Sequence, residues 1–285
     1  MENTPITNNM DQDGPPNSRQ KLGRLSSLTK SHISLFVKGL MYSGIGYLVI
    51  GLFSYLLWYV INKNVHITNQ DSSFTIILIV SIVVMLVSSI MGMVATFKLA
   101  RGTLKFGFMM SIYIIYIIAQ ILAFSALFWC FTQNYATNQK GIQYLLLIFA
   151  GGGLAFVISA LIAKAMSKNA VIKFSRFVGY LSIGFLVVLL LSVIINVVLI
   201  VTKQIQASYI LYTSLISVSI VVFFIYLIYD MSMLSKVQEI FNIEDNQQQA
   251  NVLAMFFGYR ILVDLIALVW NIAMLVLRTS GRARR

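Results

Sequence analysis

Seven apolar runs, each long enough to cross a bilayer as a helix, set the terms on which this chain can fold. They cover roughly Gly39 to Ile61, Ser73 to Phe97, Phe106 to Phe131, Tyr144 to Ala163, Phe177 to Val201, Tyr209 to Tyr229 and Met255 to Leu277. A hydrocarbon core takes about 20 residues of helix, whereas barrel strands are half that length and alternate in polarity. The expected fold class is an all-α membrane protein with seven transmembrane helices. Composition agrees, since 59% of the 285 residues are apolar and only 11% are charged.

The formal net charge of +12 does not mark a nucleic-acid binder, because the basic residues are scattered over the connections and form no single patch. They read as topology. Arg19, Lys21, Arg24, Lys30 and Lys38 precede the first run; Lys98, Arg101 and Lys105 follow the second; Lys164, Lys168, Lys173 and Arg176 follow the fourth. The other short connections hold one lysine each, Lys63, Lys140 and Lys203. By the positive-inside rule the amino terminus is cytoplasmic. Seven crossings then put Arg278, Arg282, Arg284 and Arg285 outside, against the rule; the rival is a re-entrant last segment. The abundance of Ile, Asn and Lys points to a bacterial cell membrane. The single cysteine, Cys130, allows no internal disulfide.

Three regions are expected. Residues 1–30 are a disordered polar tail with too little apolar content to fold alone, 31–278 form the membrane domain, and 279–285 are a basic tail. From Leu22 to Leu40, apolar and basic residues interleave as an interfacial lead-in to the first span. The stretch Met231 to Asn251 is the long cytoplasmic loop, with a short amphipathic surface helix around Val237, Ile240 and Phe241. Within the fourth run, Gly151-Gly152-Gly153 weakens the helix by about 1 kcal/mol per glycine, so either a neighbouring backbone crosses closely there or the helix bends.

The only carboxylates within an apolar run or directly abutting one are Asp264 and Asp230, the latter immediately after Tyr229. A carboxylate at membrane depth costs a few kcal/mol unless it is paired, protonated or facing water, so both are candidate functional residues. At about 100° per residue, Arg260, Asp264 and Asn271 share one face of the last helix. The same arithmetic puts Tyr212, Ser219, Phe223 and Tyr226 on the face of Asp230. Two such faces on adjacent antiparallel helices are expected to turn toward each other, with Tyr212, Ser219, Tyr226 and Asn271 lining the polar face; ordinary packing is the plainer reading for the hydroxyls. Taking the last helix to begin near Phe256, Asp264 would lie roughly 12 Å deep, and Asp230 roughly 6 Å deep on a preceding helix that runs to Leu234.

Two close carboxylates out of bulk water cannot readily both ionise, so the pair can share a proton and act as a latch that joins the helices and releases them when the proton leaves. The alternative is that Asp264 pairs with Arg260, one turn earlier, and merely keeps the helix insertable. No catalytic residue, resident metal or cofactor is expected, and the chain is not read as an enzyme.

The run Ile-Tyr-Leu-Ile-Tyr-Asp230 closing the sixth span, the Asp in the last span and the apolar stretch ending in Arg resemble the Bax inhibitor family, as do the basic connections with Ala163-Lys164-Ala165-Met166. The resemblance covers roughly Ser31 to Arg278. It implies seven helices with the last surrounded by the other six, and a di-aspartyl pH sensor, at Asp230 and Asp264, for a calcium leak. It also implies a basic residue near the end of the second helix, Arg101 here, as counter-charge, with Arg260 the other candidate. Arg260 departs from the family pattern, which has a small or neutral residue there, and its charge repels cations. Calcium or protons are the transported ions implied and the bilayer is the setting. The competing expectation is a non-transporting regulator that binds another membrane protein, such as a membrane protease.

Other two-aspartate and retinal chemistries fit poorly. An intramembrane aspartyl protease needs glycines where Ile261 and Val263 stand, and a retinal protein needs a lysine in the last span. Rhomboid-type hydrolysis needs a membrane histidine, but His32 and His66 lie outside the runs.

Overall fold

A computed structural model describes residues 18–64, 67–134, 138–241 and 247–282. The described elements are seven helices in chain order: α1 (Ser18–Asn64), α2 (Ile67–Ala100), α3 (Phe106–Asn134), α4 (Asn138–Ala165), α5 (Lys168–Val201), α6 (Ile205–Phe241) and α7 (Gln247–Arg282). Each contains a stretch long and apolar enough to cross a membrane. In hydrocarbon no water can satisfy backbone N–H and C=O groups, so an apolar run of this length closes its hydrogen bonds within a helix.

Three boundaries differ from the sequence expectation. Of the expected 1–30 tail, residues 1–17 lie outside the described residues, but from Ser18 the backbone is helical and continuous with α1. No proline follows Pro16, and Arg, Gln, Lys and Leu between 19 and 25 are good helix formers. The expected loop from Met231 is mostly helix as well. Met231 to Phe241 holds neither Gly nor Pro, and α6 continues through it, so the separate surface helix is an extension of α6. Residues 242–246 lie outside the described residues. Of the basic tail, 279–282 finish α7 and 283–285 are likewise outside.

The termini of the middle helices show what stops them. At the end of α2, Gly102 takes φ +67°, Thr103 N donates to Lys98 O at 2.9 Å and Gly102 N to Leu99 O at 3.0 Å. This is the left-handed cap that satisfies the last carbonyls of a helix. At the end of α5 the same pattern recurs with Lys203, φ 58°, in the left-handed position. Helix α5 opens on Ser167, whose hydroxyl accepts from Ala170 N at 3.3 Å.

Helix α7 is the centre of the bundle. Its spanning stretch is 78% buried, against 6% for α5, and it touches α1, α3, α4 and α6. Its uninterrupted course from Gln247 to Arg282 is that of a crossing helix, not of a re-entrant hairpin. Close approach is built in at two glycines. A Cβ on Gly258 would stand 2.9 Å from both Gly39 O and Tyr42 Cβ, so α1 and α7 meet backbone to backbone. In the glycine triplet of α4, a Cβ on Gly152 would stand 2.4 Å from Val269 Cγ2 and 2.5 Å from the Tyr47 hydroxyl, while Gly151 and Gly153 face open space. The close approach is thus made at Gly152 alone and by side chains of α7 and α1, not by a crossing backbone, and the helix runs unbroken through the triplet.

Around this contact sit the large rings of the core. Phe124 packs edge-on to Trp270 with centroids 5.3 Å apart, and Phe149 lies between Tyr47, Phe124 and Phe128. The Tyr47 hydroxyl donates to Phe149 O at 2.6 Å, tying α1 to α4. Helix α5 is the most apolar span and the least buried, packing on α6 and leaving the rest of its surface to lipid.

Candidate functional site

The two aspartates come from the two helices that share the largest contact in the bundle, α6 and α7. Asp230 is 1% exposed, and Leu227, Met231 and Leu234 around it on α6 are fully buried. Asp264 stands fifteen residues from either end of the Gln249–Thr279 span, at its midpoint. The helix that carries it begins at Gln247, ahead of the start near Phe256 expected from the sequence. The two carboxyl groups approach within hydrogen-bonding reach of each other. Such a contact becomes a hydrogen bond only when one member carries a proton.

The counter-charge is Arg260. Its Nε lies 2.9 Å from Asp230 Oδ2, the arginine side chain 42% exposed and the aspartate side chain 2%. Its ion pair therefore reaches across to α6 instead of running one turn along α7 to Asp264, although the guanidinium is close enough for its field to act on both carboxyls. Asp230 Oδ1 is buried and receives no hydrogen bond from the described residues. Arg101, the other basic candidate, sits exposed in the turn that follows α2, and among the described residues the ion pair of Asp230 is with Arg260.

The expected polar lining is not assembled as one surface. Tyr226 donates to Ser182 Oγ on α5 at 2.9 Å, so it faces away from α7. Ser219 is buried and donates to its own helix at Leu215 O, 2.8 Å, and Asn271 Nδ2 donates to Ala267 O at 2.7 Å. Tyr212 lies near the opposite end of the bundle under the Arg278 guanidinium, 3.8 Å from ring centroid to charge. Helix-wheel arithmetic finds residues on a common face but not which neighbour that face meets, and here α5 and α7 divide the polar side of α6 between them.

Sequence reasoning missed Tyr229 and Lys105. Tyr229 shares a hydrogen bond of 3.2 Å with Ser175 on α5, and both it and Lys105 line a cavity of about 1010 Å³ whose wall also contains Arg260. The position of Tyr229 next to Asp230 turns it about 100° around α6, toward α5; nothing in the sequence brings Lys105 there.

The chain matches no family model, no curated protein and no solved structure. Fold and site together define a class: a multi-pass α-helical membrane protein built around its last helix, with an Asp–Asp–Arg cluster between its last two helices.

Proposed function

We propose that this protein is a proton-gated cation leak of the Bax inhibitor type, with Asp230 and Asp264 as the sensor and Arg260 as its counter-charge. The observation that carries the proposal is the meeting of two carboxyls from α6 and α7 with one guanidinium in the interior of the bundle. With one proton shared between the carboxyls, the cluster is neutral. When the proton leaves, it carries one net negative charge in a sheltered place, where like charges repel strongly and a cation is attracted. Deprotonation therefore both loosens α6 from α7 and favours entry of a cation, calcium in the family the chain resembles. The setting we propose is the bacterial cell membrane, with the amino terminus cytoplasmic.

The second reading is a regulator that docks another membrane protein, and one observation favours it. Tyr226, Ser219 and Asn271 spend their polar groups on α5 or on their own helices and so offer little to a permeating ion. Calcium flux into liposomes holding the purified protein separates the two. The leak reading expects a flux that rises with pH and a loss of that pH response in Asp264→Asn, which cannot release the proton. No flux at any pH, with a membrane protein co-purifying from native membranes, would favour the regulator.

A further inference from the structure

The cavity that contains Arg260 has features the carboxylate pair does not account for. It lies between the α2–α3 turn and the start of α7, at the end of the bundle expected to face the cytoplasm. Its volume of about 1010 Å³ is at the upper end of the range for cavities that hold drug-sized ligands. Leu99, Leu104, Leu253 and Phe256 make its walls apolar, while its two charged groups, Lys105 and Arg260, are both cationic. Among the described residues no carboxylate lines it and none pairs with Lys105. Arg260 presents a side chain that is 42% exposed, so part of the guanidinium is available while Nε holds Asp230.

From this arrangement we infer that the cavity is a binding site for a single-chain anionic amphiphile, a fatty acid or an alkyl phosphate, with its acidic head between Lys105 and Arg260 and its tail along the leucines and Phe256. A guanidinium is a forked donor suited to carboxylate and phosphate oxygens, and an ammonium adds a second charge without demanding one geometry. An apolar tail removes water from the walls. A free inorganic anion gains only the first of these contributions, and a neutral amphiphile only the second.

The occupied site has a consequence for the ion pair. The head group competes with Asp230 for Arg260, so the ligand weakens the Arg260–Asp230 link and frees the carboxylate pair. This regulatory step rests on the leak reading above; the binding does not.

The test is displacement of a fluorescent fatty acid from the full-length protein in nanodiscs made of a zwitterionic lipid. Palmitate and hexadecyl phosphate should displace it at one site per chain, hexadecanol should be about tenfold weaker, and inorganic phosphate should not displace it. Lys105→Gln, an exposed position, should weaken palmitate about fivefold, and Leu253→Trp, which fills the cavity, should abolish binding. Equal displacement by hexadecanol, displacement by inorganic phosphate alone, or unchanged binding in both variants would overturn the proposal. A failed flux assay with binding intact would remove only the leak reading.

Discussion

Arg260 on α7 and Asp230 on α6 form an ion pair with Nε 2.9 Å from Oδ2, and the two side chains differ sharply in exposure. The arginine keeps contact with a cavity while the aspartate is sealed among Leu227, Met231 and Leu234. An ion pair so divided is asymmetric in its costs. A freed Arg260 can turn to the cavity, but a freed Asp230 keeps its charge in the protein interior beside Asp264.

Removing the arginine should therefore hurt more than removing its partner. Arg260→Gln is expected to cost about 3 kcal/mol, the scale for leaving a buried charge uncompensated, and Asp230→Asn less. The double variant should recover part of the loss, which a double-mutant cycle on unfolding in mixed micelles measures directly. Additive losses would mean that the two groups do not interact in the folded protein.

Arg101 gives the matching control. Because it is exposed in the turn after α2, Arg101→Gln should change stability by no more than about 0.5 kcal/mol, in the range of ordinary surface substitutions. If calcium flux is observed, its dependence on pH should be the same in this variant as in the parent protein.

The glycine triplet should respond one residue at a time. Gly152→Val drives carbon into Val269 and the Tyr47 hydroxyl and should lower stability by about 1–3 kcal/mol, the usual range for overpacking. Gly151→Ala, with nothing near the new methyl, should be neutral or raise stability by up to about 1 kcal/mol through helix propensity. Thermal unfolding of the two variants in one detergent should show opposite or clearly unequal shifts.

Lys203 occupies a backbone conformation that costs a side chain and suits glycine, at φ 58° in the cap of α5. Lys203→Gly should stabilise the protein by about 1 kcal/mol, in contrast to the usual penalty for introducing glycine. A lower unfolding midpoint would show that the lysine has a compensating role.

The polar residues on the expected lining face provide the last check. Tyr226→Phe should remove the bond to Ser182 and loosen α5 from α6 by about 1 kcal/mol while leaving any flux unchanged, because that hydroxyl points away from the carboxylate pair. Reduced flux with unchanged stability would place Tyr226 on an ion path.

The seven spans were legible because length and apolarity alone decide whether a segment can satisfy its backbone in lipid. The two carboxylates were legible as candidates because Asp264 and Asp230 are the only charges of their sign within an apolar run or directly abutting one. What the sequence left open depended on neighbours. Periodicity puts Tyr226 near Asp230 on the wheel, yet Ser182 of α5 claims it; proximity along the chain suggested Arg260 beside Asp264, yet the guanidinium crosses to α6. Helix ends were also hidden, because once α6 leaves the apolar run nothing in Met231 to Phe241 breaks it.

Finally, the helix at the middle of the bundle is the last of the seven to be synthesised. Until it inserts, Gly39 and Tyr42 of α1 lack the close approach of Gly258, Phe124 lacks the Trp270 ring, and the faces of α1, α3, α4 and α6 that pack on α7 are left uncovered. A chain interrupted before Gln247 would therefore lack the one helix on which α1, α3, α4 and α6 all converge, and would expose their inward faces together.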